Sequence, residues 1–370
     1  MPSPTPDPIH SVIARAVMVP LHRPIIAAIG QFDIWPLVLV DVRTEGGVVG
    51  HAYIAPYRAR AVPAILAEIS ELSELLKGQP AAPQTLFDSN LTKLNVVGET
   101  GISMIASAAL DMALWDVLAK TAGLPLAQLL GGTVAPVPTY NSNGLWRHEV
   151  STLAAEAAEL RDAGGFTAMK LRLGNPHLQA DLDAINAVRD GVGDGIDLMV
   201  DFNQALGTGD AIRRCHELDD QGIYWFEEPI DYSNVRGYAQ LAGKVRTPLQ
   251  MGENYYGVRD LFTFLAGGAV HYAMVDLMRI GGITGWLRSA GLAAGAGVQL
   301  SSHLYPEISA HLMRVTPTAH WLEWVDWAVP ILAQPMKPTD GHAMPSITPG
   351  TGIEWDEDAV AHYLVHTTES

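Results

Sequence analysis

The sequence predicts an α/β protein: a closed parallel (β/α) barrel attached to a smaller α+β module from the front of the chain. Two observations carry this. From about residue 136 onward, short apolar runs alternate with amphipathic stretches, the rhythm of repeated strand–helix units. At 370 residues the chain is too long for one ordinary domain, yet a barrel of about 250 residues plus a partner module fits it. An open doubly wound sheet is the alternative, but no glycine-rich phosphate loop follows an early strand.

Taken in order, residues 11–60 alternate like strands. "VIARAVMVPL" comes first, followed by "WPLVLVDVRTEGGVVGHAYI", whose β-rich runs are joined by Glu45-Gly46-Gly47. Residues 62–131 change to helical spacing in "VPAILAEISELSELL" and "SMIASAALDMALWDVLAKTAG", the latter closing on Gly123 where a helix C-cap belongs. The barrel candidates follow: "VPTYNS", "TAMKLR", "DLMVDFN", "IYWFEEP", "PLQMGEN", "YAMVDLM", "GVQLSSH" and "HWLEWVD". Between most of them lie amphipathic stretches such as "ADLDAINAVRDGVG".

Composition narrows the partners. An apolar fraction of 48% with 17% charged residues describes a globular chain. A formal charge of −17 argues against nucleic acid and anionic membrane surfaces, which need clustered Lys and Arg. The single cysteine, Cys215, excludes an internal disulfide framework and suits a reducing compartment. The start "MPSPTPDPIHS" has no cationic stretch leading an apolar one, and no run of about 18 apolar residues is evident. A cytoplasmic protein without a bilayer span is expected.

The chemistry lies at the strand ends. Lys170, Asp201, Glu227, Glu253, Asp276, His303 and Glu323 each close a later apolar run, spaced by about one strand–helix unit. Parallel strands share one direction, so these ends meet on the C-terminal face, where barrel enzymes keep their sites. One carboxylate after an apolar run is ordinarily a turn or N-cap residue; six strands in succession make that reading hard to sustain. Asp201, Glu227 and Glu253 would present three anions to one point, which requires a counter-charge. Oxygen-only ligation without nearby cysteine points to a hard cation, best Mg²⁺; salt bridging by Lys170 and Arg172 is the competing reading. Lys170 and Arg172, two apart on one strand, share a face, so an anion is expected between them.

The blocks "MVDFNQAL", "FEEPID", "QMGENYYG", "DLMRIGGITGW", "SSHLYPEISAHL" and "PTAHWLEW" resemble the enolase superfamily, and within it mandelate racemase and its relatives. The resemblance runs from "VPLHRP" to "PGTGIEWDEDAVAHYL". It implies a modified TIM barrel of (β/α)₇β type (133–330), an α+β capping domain (1–132), and a C-terminal segment (331–370) returning to the cap. It also implies Mg²⁺ on Asp201, Glu227 and Glu253, and removal of the proton α to the carboxylate of a small 2-hydroxy acid, through an enediolate. Lys170 would face the substrate carboxylate. Glu323 would hydrogen-bond a carboxylate oxygen and, for that, stay protonated by a raised pKa. His303 with Asp276 resembles the family's base dyad; His311, His320 and His271 are read as structural. Ile25, Ala27, Ile29, Phe32 and Tyr57 fall on the loops that cover the substrate, with Ser142, Asn203 and Val325 as further substrate contacts. A homo-oligomer, dimer or octamer, is expected by the same likeness.

Arg172 departs from the pattern, since mandelate racemase has lysine there as its second base. Arginine's unperturbed pKa lies above 12, so exposing the free base at neutral pH costs about 7 kcal/mol. That favours a single base, His303, and with it an acid-sugar dehydratase. The apolar covering loops offer a polyol few partners and favour a racemase or epimerase. A catalytically silent metal-binding relative is a third reading, and it has no need of the His303–Asp276 pair.

Overall fold

The alternating runs at the front of the chain become three antiparallel strands, β1 (Ile9–Ala27), β2 (Gly30–Thr44) and β3 (Val49–Ile54). The computed structural model describes residues 6–28, 30–268 and 270–370. One face of this sheet receives α1 (Val62–Leu76) and α3 (Ile102–Ala122), and α2 (Pro83–Leu94) packs against α3. The approach of α3 to β3 depends on Gly50: a Cβ there would come within 2.2 Å of the Ala113 carbonyl oxygen.

By length and composition alone α3 is apolar enough to cross a membrane, although Asp111 and Asp116 interrupt its apolar residues. It is instead an interior helix, with 83% of that apolar window buried between β3, α1, α2 and the barrel helix Gly282–Ala296. A helix buried on all sides loses the one-sided polarity that marks a surface helix. Its two aspartates pin neighbouring parts to it. Asp111 accepts from the Thr284 amide (2.9 Å) and hydroxyl (2.6 Å). Asp116 accepts from the amides of His51 (2.8 Å) and Thr351 (2.6 Å). Cap sheet, barrel and C-terminal segment therefore share one buried helix.

The eight expected barrel strands all form: β4 (Val137–Asn141), β5 (Ala168–Arg172), β6 (Asp197–Asp201), β7 (Ile223–Glu227), β8 (Leu249–Met251), β9 (Tyr272–Asp276), β10 (Gln299–His303) and β11 (Leu322–Trp324). They pair in parallel in the order β10-β9-β8-β7-β6-β5-β4-β11. Closure comes from Leu300 and Ser302 of β10, whose amides donate to Thr318 and Trp321 on the way into β11. A helix follows each of the first seven strands and none separates β11 from the end of the barrel, giving the (β/α)₇β pattern. The chain then adds β12 (His342–Ala343) antiparallel to β4, and β13 (Leu364–Glu369) pairs with β1, making the cap sheet four-stranded.

Inside the barrel the floor is aromatic. Tyr140, Met199 and Trp225 are fully buried, and Tyr224, Tyr272 and Trp321 pack against them. Above this plug the inward side chains become charged.

Candidate active site

Strand register brings the ionisable ends together. Arg172 lies opposite Asp201, Asp201 opposite Glu227, and Asp276 opposite His303. Because a parallel ladder keeps neighbours level, the charged groups form one layer at the C-terminal mouth. Asp201, Glu227 and Glu253 offer carboxylate oxygens within 4.8 Å of one another. The first two are buried and Glu253 is half-buried. With no cysteine or histidine in the group, this donor set fits Mg²⁺.

Lys170 sits directly on the carboxylates. Its Nζ lies 2.5 Å from Glu227, 2.9 Å from Glu323 and 3.6 Å from Asp201. Burial would depress the ammonium, but Glu227, Glu323 and Asp201 hold its pKa well above the ordinary lysine value. The anions between Lys170 and Arg172 are thus the protein's own, since Asp201 Oδ2 also lies 4.0 Å from Arg172 Nε. That pairing answers for the charge without a substrate, and so resembles the salt-bridged alternative.

Glu323 differs from expectation. Burial opposes its ionisation, but Lys170, then His303 and Arg172, outweigh that and hold its carboxyl well below the usual carboxylate range. Its partners agree: Ser142 Oγ donates to it at 2.7 Å and the Leu304 amide at 2.9 Å. A group accepting at both oxygens beside an ammonium is a carboxylate, not a carboxylic acid. Crowding by anions was the argument for protonation; the cations are closer.

His303 and Asp276 meet as the register requires. His303 Nδ1 lies 2.7 Å from Asp276 Oδ2, while Asp276 Oδ1 caps the next turn by accepting from the amides of Met278 and Arg279. The other ring nitrogen, Nε2, faces the site, 3.4 Å from Glu253. Burial lowers the imidazole pKa, but Glu253, Glu323 and the bond to Asp276 together push it up to about 9.

Arg172 is anchored rather than free. One terminal nitrogen donates to the carbonyls of Ser142 and Gly144, each at 3.1 Å, and the other to Ser142 Oγ at 2.7 Å. The guanidinium stacks 3.9 Å from the Trp146 ring centroid. Among the described residues, its Nε has no hydrogen-bond partner, and the buried donor Trp146 Nε1 likewise has none. Both residues line the cavity above the carboxylates.

The cavity wall accounts for most of the expected contacts. Ile25, Ala27, Phe32, Tyr57 and Asn203 line it. Arg279 joins cap to barrel here, lying 5.0 Å from the Tyr57 ring while donating to the Glu253 carbonyl at 2.8 Å. Ile29 lies outside the described residues. Two further expected contacts, Ser142 and Val325, are not among the residues lining the cavity. Ser142 stands behind the wall, joining Arg172 to Glu323 through its hydroxyl. Val325 is buried just past the end of β11 at Trp324, so the strand alternation that would aim it alongside Glu323 does not extend to it. Trp35, Trp146, Leu304 and Trp327 complete the wall and were not foreseen. Trp35 and Trp327 pack edge-on with centroids 4.6 Å apart.

Residues 9–131 match the family described as the mandelate racemase / muconate lactonizing enzyme N-terminal domain, and residues 152–359 match the enolase C-terminal domain-like family. Among solved structures, an enolase from alpha pretobacterium bal199 with bound magnesium is 46% identical, with a TM-score of 0.95, covering 97% of this chain and 99% of that one. An enolase from Bradyrhizobium complexed with magnesium and mandelic acid is 39% identical, with a TM-score of 0.94, covering 98% and 100%. The L-talarate/galactarate dehydratase of Salmonella typhimurium is 32% identical over 87% of this chain and 81% of its own length.

Proposed function

The chain belongs to the mandelate racemase/muconate lactonizing enzyme family of the enolase superfamily, and on that premise we propose that it removes the α-proton of a small 2-hydroxy carboxylate bearing an apolar or aromatic group. The observation that carries this reading is the His303–Asp276 pair at 2.7 Å beside a three-carboxylate cluster. Asp276 orients the imidazole so that its neutral form can accept the proton at Nε2. A cation held by Glu253 would offset the pull of that carboxylate, which helps keep the metal-free ring protonated. Asp201, Glu227 and Glu253 would hold Mg²⁺, which when bound supplies Lewis-acid stabilisation of charge developing on the substrate carboxylate. Lys170 supplies a second positive charge to the enediolate from across the cluster. Arg172 Nε and Trp146 Nε1, buried donors without hydrogen-bond partners among the described residues, are ready for substrate oxygens.

Support for the substrate class comes from the wall. Ile25, Phe32, Trp35, Tyr57, Trp146 and Trp327 bury an aryl or alkyl group well and leave the hydroxyls of an acid sugar unpaired, a costly mismatch. The Bradyrhizobium protein with mandelic acid agrees with this. The anchored Arg172 favours a second reading, an acid-sugar dehydratase with His303 as sole base, and the Salmonella dehydratase is consistent with it. Incubation with Mg²⁺ in D₂O separates the two. Mandelate-like acids should exchange their α-proton while hexarates such as galactarate stay intact. Release of a 2-keto acid from a hexarate would give preference to the dehydratase.

By likeness to relatives we also propose a homo-oligomer, a dimer or octamer. Light scattering should return a mass well above the 39.8 kDa of one chain, and a monomer would refute it.

A further inference from the structure

Beneath the carboxylate cluster, a line of polar side chains crosses the otherwise aromatic floor. Gln250 Nε2 lies 3.4 Å from Glu227 Oε2, and Ser301 Oγ lies 3.1 Å from Gln250 Oε1. His320 Nδ1 is 3.3 Å from Ser301 Oγ, and His320 Nε2 is 2.8 Å from the Tyr224 hydroxyl. Gln250 and Ser301 are fully buried, where an unpaired polar group is expensive. None of these four residues touches the cavity.

The direction of every bond follows from one end. Glu227 presents an acceptor, so Gln250 must turn its amide N–H toward it and its carbonyl toward Ser301. Ser301 then donates its only proton to that carbonyl and accepts from His320 Nδ1–H. A neutral imidazole protonated on Nδ1 leaves Nε2 to accept from Tyr224 O–H. Burial pushes the His320 pKa down to about 4, so the ring carries the single proton this order demands. All four donors point toward Glu227, and bonds aligned in series polarise one another. Trp225 Nε1 donates to the same oxygen at 3.0 Å. Oε2 is thereby saturated, and Oε1 is left facing Lys170 and the carboxylate cluster.

We propose that Gln250, Ser301, His320 and Tyr224 form a positioning chain that runs from the barrel floor to Glu227 and sets its carboxylate for the divalent cation. The proposal rests on Asp201, Glu227 and Glu253 being the Mg²⁺ site. It gives His320 a task that its place on an apolar run conceals.

The test is a calorimetric Mg²⁺ titration of the full chain without substrate. Ser301→Ala removes one hydroxyl and should weaken Mg²⁺ binding about tenfold, the low end of what an outer-shell partner contributes. His320→Asn keeps an amide N–H where Nδ1 stands and should bind within about twofold of the unaltered protein, whereas His320→Phe should fall about tenfold. A packing role predicts the opposite order, because phenylalanine keeps the aromatic contact with Tyr272, 4.4 Å between centroids, and asparagine does not. Ser301→Ala binding as tightly as the unaltered protein, or asparagine proving worse than phenylalanine, overturns the chain. Should the phenylalanine variant fail to fold, Ser301→Ala decides alone. An unaltered protein that binds no Mg²⁺ at all would remove the metal reading itself, and the chain with it.

Discussion

Glu227→Gln should lower turnover by at least about 10³-fold, since it removes a charged ligand from the metal on which transition-state stabilisation depends. The carboxylate is fully buried and sits at the centre of the cluster, touching Lys170, Trp225 and Gln250. Glutamine preserves the shape and keeps one oxygen to accept from Trp225 and Gln250, its NH2 meeting the Lys170 ammonium in place of a carboxylate oxygen, a local loss that the fold should withstand. Thermal stability in the absence of metal should be unchanged or higher. Burial, with Asp201, Glu323 and Glu253 nearby, pushes the Glu227 pKa up against the pull of Lys170, so the native charge is poorly accommodated until a cation arrives. Lys170 keeps Glu323 and Asp201 as partners and is not stranded. Chelation should silence the unaltered enzyme, and added Mg²⁺ should restore it. Full activity in a chelated sample, or in Glu227→Gln, would end the metal-dependent reading.

Much of this site was legible because strand ends are legible. An apolar run of about five residues that stops at an ionisable one marks both the strand and its mouth, and parallel register then brings Arg172, Asp201 and Glu227 level without any tertiary information. What could not be read depends on where chains leave the strands. Val325 continues the alternation on paper, but β11 is only three residues long and ends before it. Trp35, Trp146 and Trp327 reach the cavity from the cap sheet and two loops that are distant in sequence, and nothing local links them. The ionisation of Glu323 turned on which charges lie nearest, a question of a few ångströms. His320 read as a core histidine because its partners, Ser301 and Tyr224, come from two other strands.

On the proposed mechanism Arg172 decides the stereochemistry. A base must give up its proton before it can take another, and this guanidinium is held by the carbonyls of Ser142 and Gly144 and by the Ser142 hydroxyl, all acceptors of its N–H groups. Neutralising it would cost about 7 kcal/mol from the unperturbed arginine value, and would weaken each of those bonds as well. On the proposed mechanism His303 is then the one efficient base. In D₂O, α-proton exchange should be fast for one enantiomer of an aromatic 2-hydroxy acid and slower by about 10³-fold or more for the other. His303→Asn should abolish the fast exchange while leaving Mg²⁺ binding in place. Arg172→Lys exchanges an anchored fork for a flexible amine that releases its proton far more readily beside Lys170 and a divalent cation. It should raise exchange of the slow enantiomer by at least about tenfold. It should also raise KM, because the contacts to Ser142 and Gly144 are lost, so the two effects are separated by measuring exchange at saturating substrate. Following each enantiomer separately by NMR provides the measurement. Equal exchange of both by the natural enzyme would mean that Arg172 already works as a base despite its anchors, and the one-base argument would fail.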